Sequence, residues 1–419
     1  MEGKAASTQA PKDSYNEVKV TLASSTSAST SASTIAGVEA SVGSEASAGS
    51  QASALPHAAA TRATGAEWRH GDPFGLHRVI EPVGAMPQGA WRVDNSVELW
   101  DNEIRIDVEM LNIDSASFTQ IKSEAAGNSA DGKVTPEAVA GIMQRIVRDR
   151  GKHHNPVTGS GGMLIGRIDA LGPVIEARGD LQVGDRIATL VSLSLTPLTI
   201  DAIKTVDLKT GQVAIDGHAV LFESGIYAKM PDDVPDRVAL AVFDVCGAPA
   251  QTAKLVKPGN TVVILGASGK SGLTVLRQAR LSAGSDGRII AVDYGAAAKA
   301  RLEALGWADA VLDLDATRPA DVWRAVQEVT GPGLADVVIN CVNVPNTEMS
   351  SILCAKEGGT VYFFSMATSF TAAALGAEGV GKDVEMVIGN GYTRGHAQHA
   401  LQLVRESPEL MAAFAAKFE

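Results

Sequence analysis

Thr261-Val-Val-Ile-Leu-Gly-Ala-Ser-Gly-Lys-Ser-Gly272, followed downstream by Arg288-Ile-Ile-Ala-Val-Asp293, reads as strand, glycine turn, helix, strand, acid. That order is the beginning of a dinucleotide-binding unit. Gly266, Gly269 and Gly272 let the backbone turn tightly and approach a pyrophosphate, whose charge then lies against the exposed N–H groups of the next helix. Ser268, Lys270 and Ser271 fill the same turn and join the cofactor-binding set. Asp293 ends the second strand about twenty residues past Gly272, where a carboxylate accepts hydrogen bonds from a ribose 2′-hydroxyl. Cys341 and Val342 follow a further strand at 336–340 and are assigned to the same site. Tyr294 and Gly295 precede Lys299 and Arg301, so no strong base stands directly after Asp293; this favours NAD, with NADP as a second option.

Gly269-Lys270-Ser271 also looks like the end of a nucleoside-triphosphate loop. That motif needs a glycine five residues earlier, where Ile264 stands inside the strand. A kinase or ATPase is therefore not expected.

Beyond this unit the alternation continues, with strands at 289–292, 310–312, 336–340, 360–364 and 384–388 and helices at 273–282, 296–305, 320–330, 347–355 and 397–404. Continuous apolar strands between amphipathic helices predict a doubly wound parallel sheet over residues 241–419. Between residues 74 and 240 the pattern is different. Short runs at 103–110, 163–168, 185–191 and 212–215 alternate apolar and polar residues, predicting a mainly β domain of half-buried antiparallel strands. One helix is expected within it, Pro136–Arg150, with proline at its start and arginines near its end. Residues 1–73 are rich in Ser, Ala, Thr and Gly and hold few large apolar side chains, so a disordered extension is expected there.

The 419 residues carry a net charge of −12, which argues against nucleic acid or anionic lipid as a partner. No apolar run is long enough for a bilayer, and the start of the chain fits neither a secretory signal nor an arginine-rich presequence. Cys246, Cys341 and Cys354 are too scattered for a disulfide framework or a four-cysteine zinc lobe. Together these features predict a soluble cytoplasmic protein.

A β domain followed by a dinucleotide domain resembles the medium-chain dehydrogenase and reductase superfamily over most of residues 76–419, which implies a GroES-like fold for the first domain. Asn155-Pro-Val-Thr-Gly-Ser-Gly-Gly-Met-Leu-Ile-Gly166 resembles the segment that carries a histidine–glutamate pair in the zinc alcohol dehydrogenases, but Ser160-Gly161 follow Gly159 here. Leu111-Asn-Ile-Asp114 resembles the segment holding their first zinc cysteine, and Asn112 takes that place. No tetrahedral catalytic metal is expected on such a set. The wording of Leu111–Gln120, His154–Gly162, Leu190–Pro197 and Gly225–Lys229 is similar to a zinc-free branch of the superfamily active in lysine degradation. The resemblance implies oxidative deamination of L-erythro-3,5-diaminohexanoate at its 3-amino group with a nicotinamide cofactor, giving 5-amino-3-oxohexanoate and ammonia. It also implies a homo-oligomer formed through the sheet edge near 360–364 and 384–388.

Such chemistry needs a base for the amine, a second deprotonation when water adds, and polar groups for two ammoniums and a carboxylate. Asp114 is the first candidate, as base or as ammonium anchor, against the alternative of a turn carboxylate bonded to Ser115 or Ala116. His154, or its neighbour His153, is a candidate proton acceptor near neutral pH, against a solvated loop histidine. Asn112, Ser115, Asn155, Thr158, Ser160 and Asp244 are assigned to substrate, with Asp244 placed to orient the second ammonium. Ser192, Ser194 and Thr196 are read as one face of a strand, turned either to the cleft or to solvent. Two other functions stay open at this point: a zinc-free quinone or enoyl-thioester reductase, and a dinucleotide-binding protein without turnover.

Overall fold

The computed structural model describes residues 67–129, 132–156, 159–389 and 391–418. The expected disordered extension lies outside the described residues up to position 66. The described chain begins at Glu67, within the stretch expected as extension. Trp68 packs on Leu99, Val220 and Phe222, and the Asn102 amide donates to the Gly71 carbonyl at 2.8 Å.

The first domain opens with a two-stranded ribbon, β1 (Val79–Glu81) and β2 (Arg92–Val93), then β3 (Ile104–Asn112), α1 (Ser115–Gly127), α2 (Pro136–Arg150), β4 (Met163–Leu171), α3 (Pro173–Glu176), β5 (Arg186–Thr189), β6 (Ala202–Val206), β7 (Gln212–Asp216), β8 (His218–Leu221) and β9 (Tyr227–Lys229). Its main sheet runs β6-β7-β3-β4-β5-β9, with β8 also paired to β3. Every pairing is antiparallel. Ile104, Ile106 and Val108 point into the core while Arg105, Asp107 and Glu109 face outward, the period-two pattern expected of β3. Helix α2 forms where proline and the arginines indicated, with the Thr135 hydroxyl capping Ala138 N and Gly151 closing the helix at φ 69°. Helix α1 is an addition to the expected domain. Phe118, Ile121 and Ala125 bury one side of it at helical spacing.

The second domain comprises α4 (Asp236–Phe243), α5 (Gly247–Leu255), β10 (Thr261–Leu265), α6 (Lys270–Ala283), β11 (Arg288–Asp293), α7 (Ala296–Leu305), β12 (Ala310–Asp313), α8 (Pro319–Thr330), β13 (Ala335–Asn340), α9 (Glu348–Cys354), β14 (Ala355–Phe363), α10 (Phe370–Val380), β15 (Val384–Ile388), α11 (His396–Arg405) and α12 (Pro408–Phe418). Its six strands are parallel in the order β12-β11-β10-β13-β14-β15. Along β10, Val262 and Ile264 join the core on one face, and Val263 and Leu265 join the core on the other. Each of these buried side chains contributes about 1.5–3 kcal/mol by leaving water. The order reverses beside β10, so the crevice at the carboxyl ends of β10 and β13 is where such a sheet takes its ligand.

The boundary expected between 240 and 241 cuts α4. That helix packs with α11 and α12, so the end of the chain folds back over the segment that leads into the dinucleotide domain. Ser192, Ser194 and Thr196 form a turn after β5 rather than a strand face: the two serine hydroxyls lie 2.8 Å apart, and Thr196 Oγ1 donates to the Ser192 carbonyl at 3.0 Å. Among the described residues no helix is long and apolar enough to cross a membrane.

Candidate active site

The glycine loop joins β10 to α6. Gly266 adopts φ 74°, and a Cβ on Gly272 would stand 2.1 Å from the Gly266 carbonyl oxygen, so the loop closes only with hydrogen at that position. No side chain caps the start of α6, which leaves its first N–H groups available to an anion. Asp293 sits at the carboxyl end of β11. Its Oδ2 accepts from Ser268 N at 2.7 Å and its Oδ1 from Tyr294 N at 2.8 Å, so the carboxylate expected at a ribose hydroxyl steadies the glycine loop. The Arg301 guanidinium donates to Ser268 Oγ at 3.3 Å beside it. Cys341 N donates to the Leu265 carbonyl at 2.9 Å, and the backbone of Cys341 and Val342 lies directly behind Gly266. Burial pushes the Cys341 thiol up to about 12, and Ser271 hydrogen-bonds it, so this cysteine is a packed wall and not a nucleophile. Close backbone, open helix terminus and terminal acid together fit a nicotinamide dinucleotide.

The β-domain half of the site is built from side chains. Asp114 caps α1: Oδ1 accepts from Ser117 N at 2.9 Å, and Oδ2 accepts from Ser117 Oγ at 2.5 Å and from Ser160 Oγ at 3.0 Å. The cap partner is Ser117 and not Ser115 or Ala116. Ser115 begins α1 exposed, and its carbonyl accepts from Thr119 Oγ1 at 2.8 Å. Asn112 is buried at the end of β3, pressed against Gly162, which adopts φ 100° and has no room for a Cβ beside the Asn112 carbonyl. Asn155 and Ser160 close the intervening loop, with Asn155 N donating to the Ser160 carbonyl at 2.8 Å and Gly159 N to the Asn155 carbonyl at 2.9 Å. Thr158 lies outside the described residues.

The two histidines divide. His153 is fully buried and its Nδ1 pairs with the Gly161 carbonyl at 3.2 Å, which makes Nδ1 the protonated nitrogen of a neutral ring. Burial pushes it down to about 4 against the pull of Asp114. It is a structural support of the loop. His154 is half-buried, its Nδ1 has no hydrogen-bond partner, and it is pushed down to about 4 by burial and then by the charges of Lys152 and Arg150.

Lys152 was not singled out from sequence. Its side chain is buried, and its ammonium donates to the Pro87 carbonyl at 2.5 Å and the Gln88 carbonyl at 3.1 Å, so it ties the segment before β2 to the histidine loop. Burial, then Arg150, pushes it down to about 8. A buried lysine among polar neighbours gives no periodicity, and only its place beside His153 and His154 hinted at it.

Asp244 follows α4 and is taken up by the ammonium of Lys270, the first residue of α6. One core cluster runs from Met163, just past Gly162, through Val245 and Cys246 to Ala267 in the glycine loop and Cys341. A separate cavity of about 290 Å³ opens between Leu190, Gly225–Tyr227 and the start of α11 near His396; none of the expected site residues lines it. No group of three or more His, Cys, Asp or Glu among the described residues is placed to hold a metal ion.

Residues 77–231 match the family model described as L-erythro-3,5-diaminohexanoate dehydrogenase N-terminal domain, and residues 272–380 match the model described as zinc-binding dehydrogenase. The L-erythro-3,5-diaminohexanoate dehydrogenase of Acetoanaerobium sticklandii is 54% identical over 82% of this chain and 98% of the relative. That of Fusobacterium nucleatum subsp. nucleatum is 52% identical over 83% of this chain and 98% of the relative. Among solved structures, the CurK enoyl reductase superposes with a TM-score of 0.47 at 16% identity, covering 78% of this chain and 81% of that one. With identity above one half across almost the full length of both relatives, the chain belongs to the L-erythro-3,5-diaminohexanoate dehydrogenase family.

Proposed function

We propose that this protein oxidatively deaminates L-erythro-3,5-diaminohexanoate to 5-amino-3-oxohexanoate and ammonia with NAD, or NADP, as the oxidant. The near-complete match to two relatives bearing that name carries the reading. The chemistry of the site agrees with it.

When bound, the nicotinamide cofactor supplies the hydride acceptor, and Gly266, Ser268, Gly269, Lys270, Ser271, Gly272, Asp293, Cys341 and Val342 form its cradle. All other demands fall on side chains. The positive charges of Lys152 and Arg150 that depress His154 attract the substrate carboxylate to the loop of His154, Asn155 and Ser160. A carboxylate has about four acceptor sites. Asp114 already accepts three hydrogen bonds, leaving one for the 3-ammonium. Asn112 and Ser115 flank this position at the end of β3 and the start of α1. An imidazole that titrates at about 4 is a weak base, but the arriving carboxylate opposes that depression and restores its ability to take the amine's proton.

The test is direct. Purified chain with the diamino acid and NAD is expected to raise absorbance at the reduced-cofactor band, and chain with an enone or quinone and reduced cofactor to leave it unchanged. Turnover in the second assay alone would assign a reductase, and binding without either turnover a non-catalytic nucleotide protein.

The protein is further proposed to act in the cytoplasm as a homo-oligomer. The three cysteines are free and buried, which suits a reducing compartment. Strand β15 is a sheet edge, and Ile388, Phe370 and Leu375 near it are exposed. Pairing β15 with its copy covers both the edge and these side chains. Ile388→Lys is expected to shift the sedimentation profile to the monomer.

A further inference from the structure

We propose that the cavity at the start of α11 is a second ligand site, which takes a small monocarboxylate with an apolar body. The inference stands apart from the deamination reading and uses none of the residues assigned to substrate or cofactor.

The cavity, of about 290 Å³, is walled by both domains: Leu190, Ile226 and Tyr227 come from the β domain, Tyr392 and the first turn of α11 from the dinucleotide domain. At roughly 30 Å³ for each water, that is room for about ten non-hydrogen atoms. Helix α11 is ten residues long, and Gly395, at φ 76°, precedes it with no side chain to cap it. His396 N donates to the Thr393 carbonyl at 2.9 Å and His399 N to the Gly395 carbonyl at 3.0 Å. Ala397 N and Gln398 N, between them, take no partner among the described residues. Two adjacent donors at the positive end of a helix suit the two oxygens of a carboxylate.

A bare helix start is ordinary where water fills it. His396 makes this one different. It lines the cavity, is only 4% exposed, and its Nε2 is buried with no hydrogen-bond partner. An unpaired polar atom in such a place is destabilising, and a ligand that accepts from it removes the cost. Burial also lowers the pKa of His396, so the ring is neutral near pH 7 and one nitrogen carries a proton. With that proton on Nε2, the imidazole is a third donor on the same turn as the two free amides. Its ring stands edge-on to Tyr392, with centroids 5.1 Å apart and planes at 81°, which orients it.

The rest of the wall sets the class of ligand. Among the described residues no Lys or Arg lines the cavity; Arg394, just before Gly395, is exposed and not part of the wall. The Tyr227 hydroxyl donates to Asp180, which brings a negative charge to that side. A doubly charged phosphate would go uncompensated there, whereas one negative charge is within the means of a helix start and an imidazole. Leu190, Ile226 and the tyrosines offer apolar surface to the body. An occupant touches both domains and so stabilises their arrangement.

The experiment titrates the full-length chain calorimetrically with benzoate, with its uncharged counterpart benzamide, and with inorganic phosphate. Benzoate is expected to bind with a Kd of about 1 mM, ordinary for so small a ligand, and to raise the melting temperature. Its affinity should be the same with NAD or with L-erythro-3,5-diaminohexanoate present. Benzamide and phosphate should bind roughly tenfold more weakly or less, and His396→Phe should weaken benzoate by a similar factor, the worth of a charge-assisted hydrogen bond. His396→Gln keeps a donor and should stay within about threefold. Equal binding of benzamide, tighter binding of phosphate, displacement of benzoate by NAD or by the diamino acid, or unchanged benzoate affinity in a folded His396→Phe would each overturn the assignment. The contrast of benzoate with benzamide needs no variant, so it decides the matter even if His396→Phe does not fold. Because the readout is binding, a chain that fails to deaminate the diamino acid leaves this result untouched.

Discussion

The two halves of the site use opposite materials. In the dinucleotide domain the proposed ligand surface is backbone: a turn with no room for a Cβ at Gly272, an uncapped helix start and one terminal acid. In the β domain it is side chains: a capping aspartate shared with Ser160, a loop histidine under positive charges, and a buried lysine holding the loop in place. On the proposed assignment the difference separates binding from chemistry. A change to the backbone half is expected to remove the cofactor, whereas a change to the side-chain half is expected to remove the reaction and leave the cofactor bound.

The largest effect is expected from Gly272→Ala, whose new methyl would overlap the Gly266 carbonyl oxygen at 2.1 Å. NAD binding should weaken by roughly 100-fold or more, about 2.7 kcal/mol, when titrated calorimetrically. Asp114→Asn probes the other half. Asparagine caps a helix about as well as aspartate, so the melting free energy should change by less than about 1 kcal/mol. Turnover should fall roughly 10²- to 10⁴-fold with NAD affinity unchanged. A parallel loss of affinity and turnover in this variant would erase the contrast between the halves.

The histidine loop offers a pH test. His153 titrates at about 4 in the fold against an ordinary 6.5, because burial disfavours its charged form. Its contribution to stability is therefore complete above pH 6.5 and is lost as pH falls toward 4. The loss amounts to about 3 kcal/mol. Urea unfolding at pH 7 and pH 4.5 should show a smaller acid loss in His153→Gln than in the unaltered chain; equal losses would remove His153 as the cause. The smallest effect is expected at Arg301, which reaches Ser268 Oγ at 3.3 Å beside Asp293. Arg301→Ala should lower the ratio of NADP to NAD efficiency by roughly two- to fivefold, the worth of one exposed charge contact.

The same division decides what could be read from the sequence. Strand β10, the glycine turn, α7 and β15 lie where their residues indicated, because an apolar run bounded by glycine and acid is a local signal. Helix α2 was equally plain from Pro136 and Arg150. Helix α1 was missed because Asp114 looks like a turn residue, although Phe118, Ile121 and Ala125 already carried helical spacing. Helices α4 and α5 are buried nearly all round, so neither shows the polar stripe that marks a surface helix. The Asp244–Lys270 pair joins residues on separate helices, and the clamp of Lys152 on Pro87 and Gln88 spans more than sixty positions. Neither contact leaves a periodic trace. Asp114 and Ser160 stand 46 positions apart, and only the fold brings their oxygens together.

The most direct measurement is the stoichiometry of the reaction by the unaltered chain. Supplied with L-erythro-3,5-diaminohexanoate and NAD, it should release one ammonia for each cofactor reduced, from the first turnover onward. Reduction of the cofactor without matching ammonia, or no reduction at all, would contradict the account.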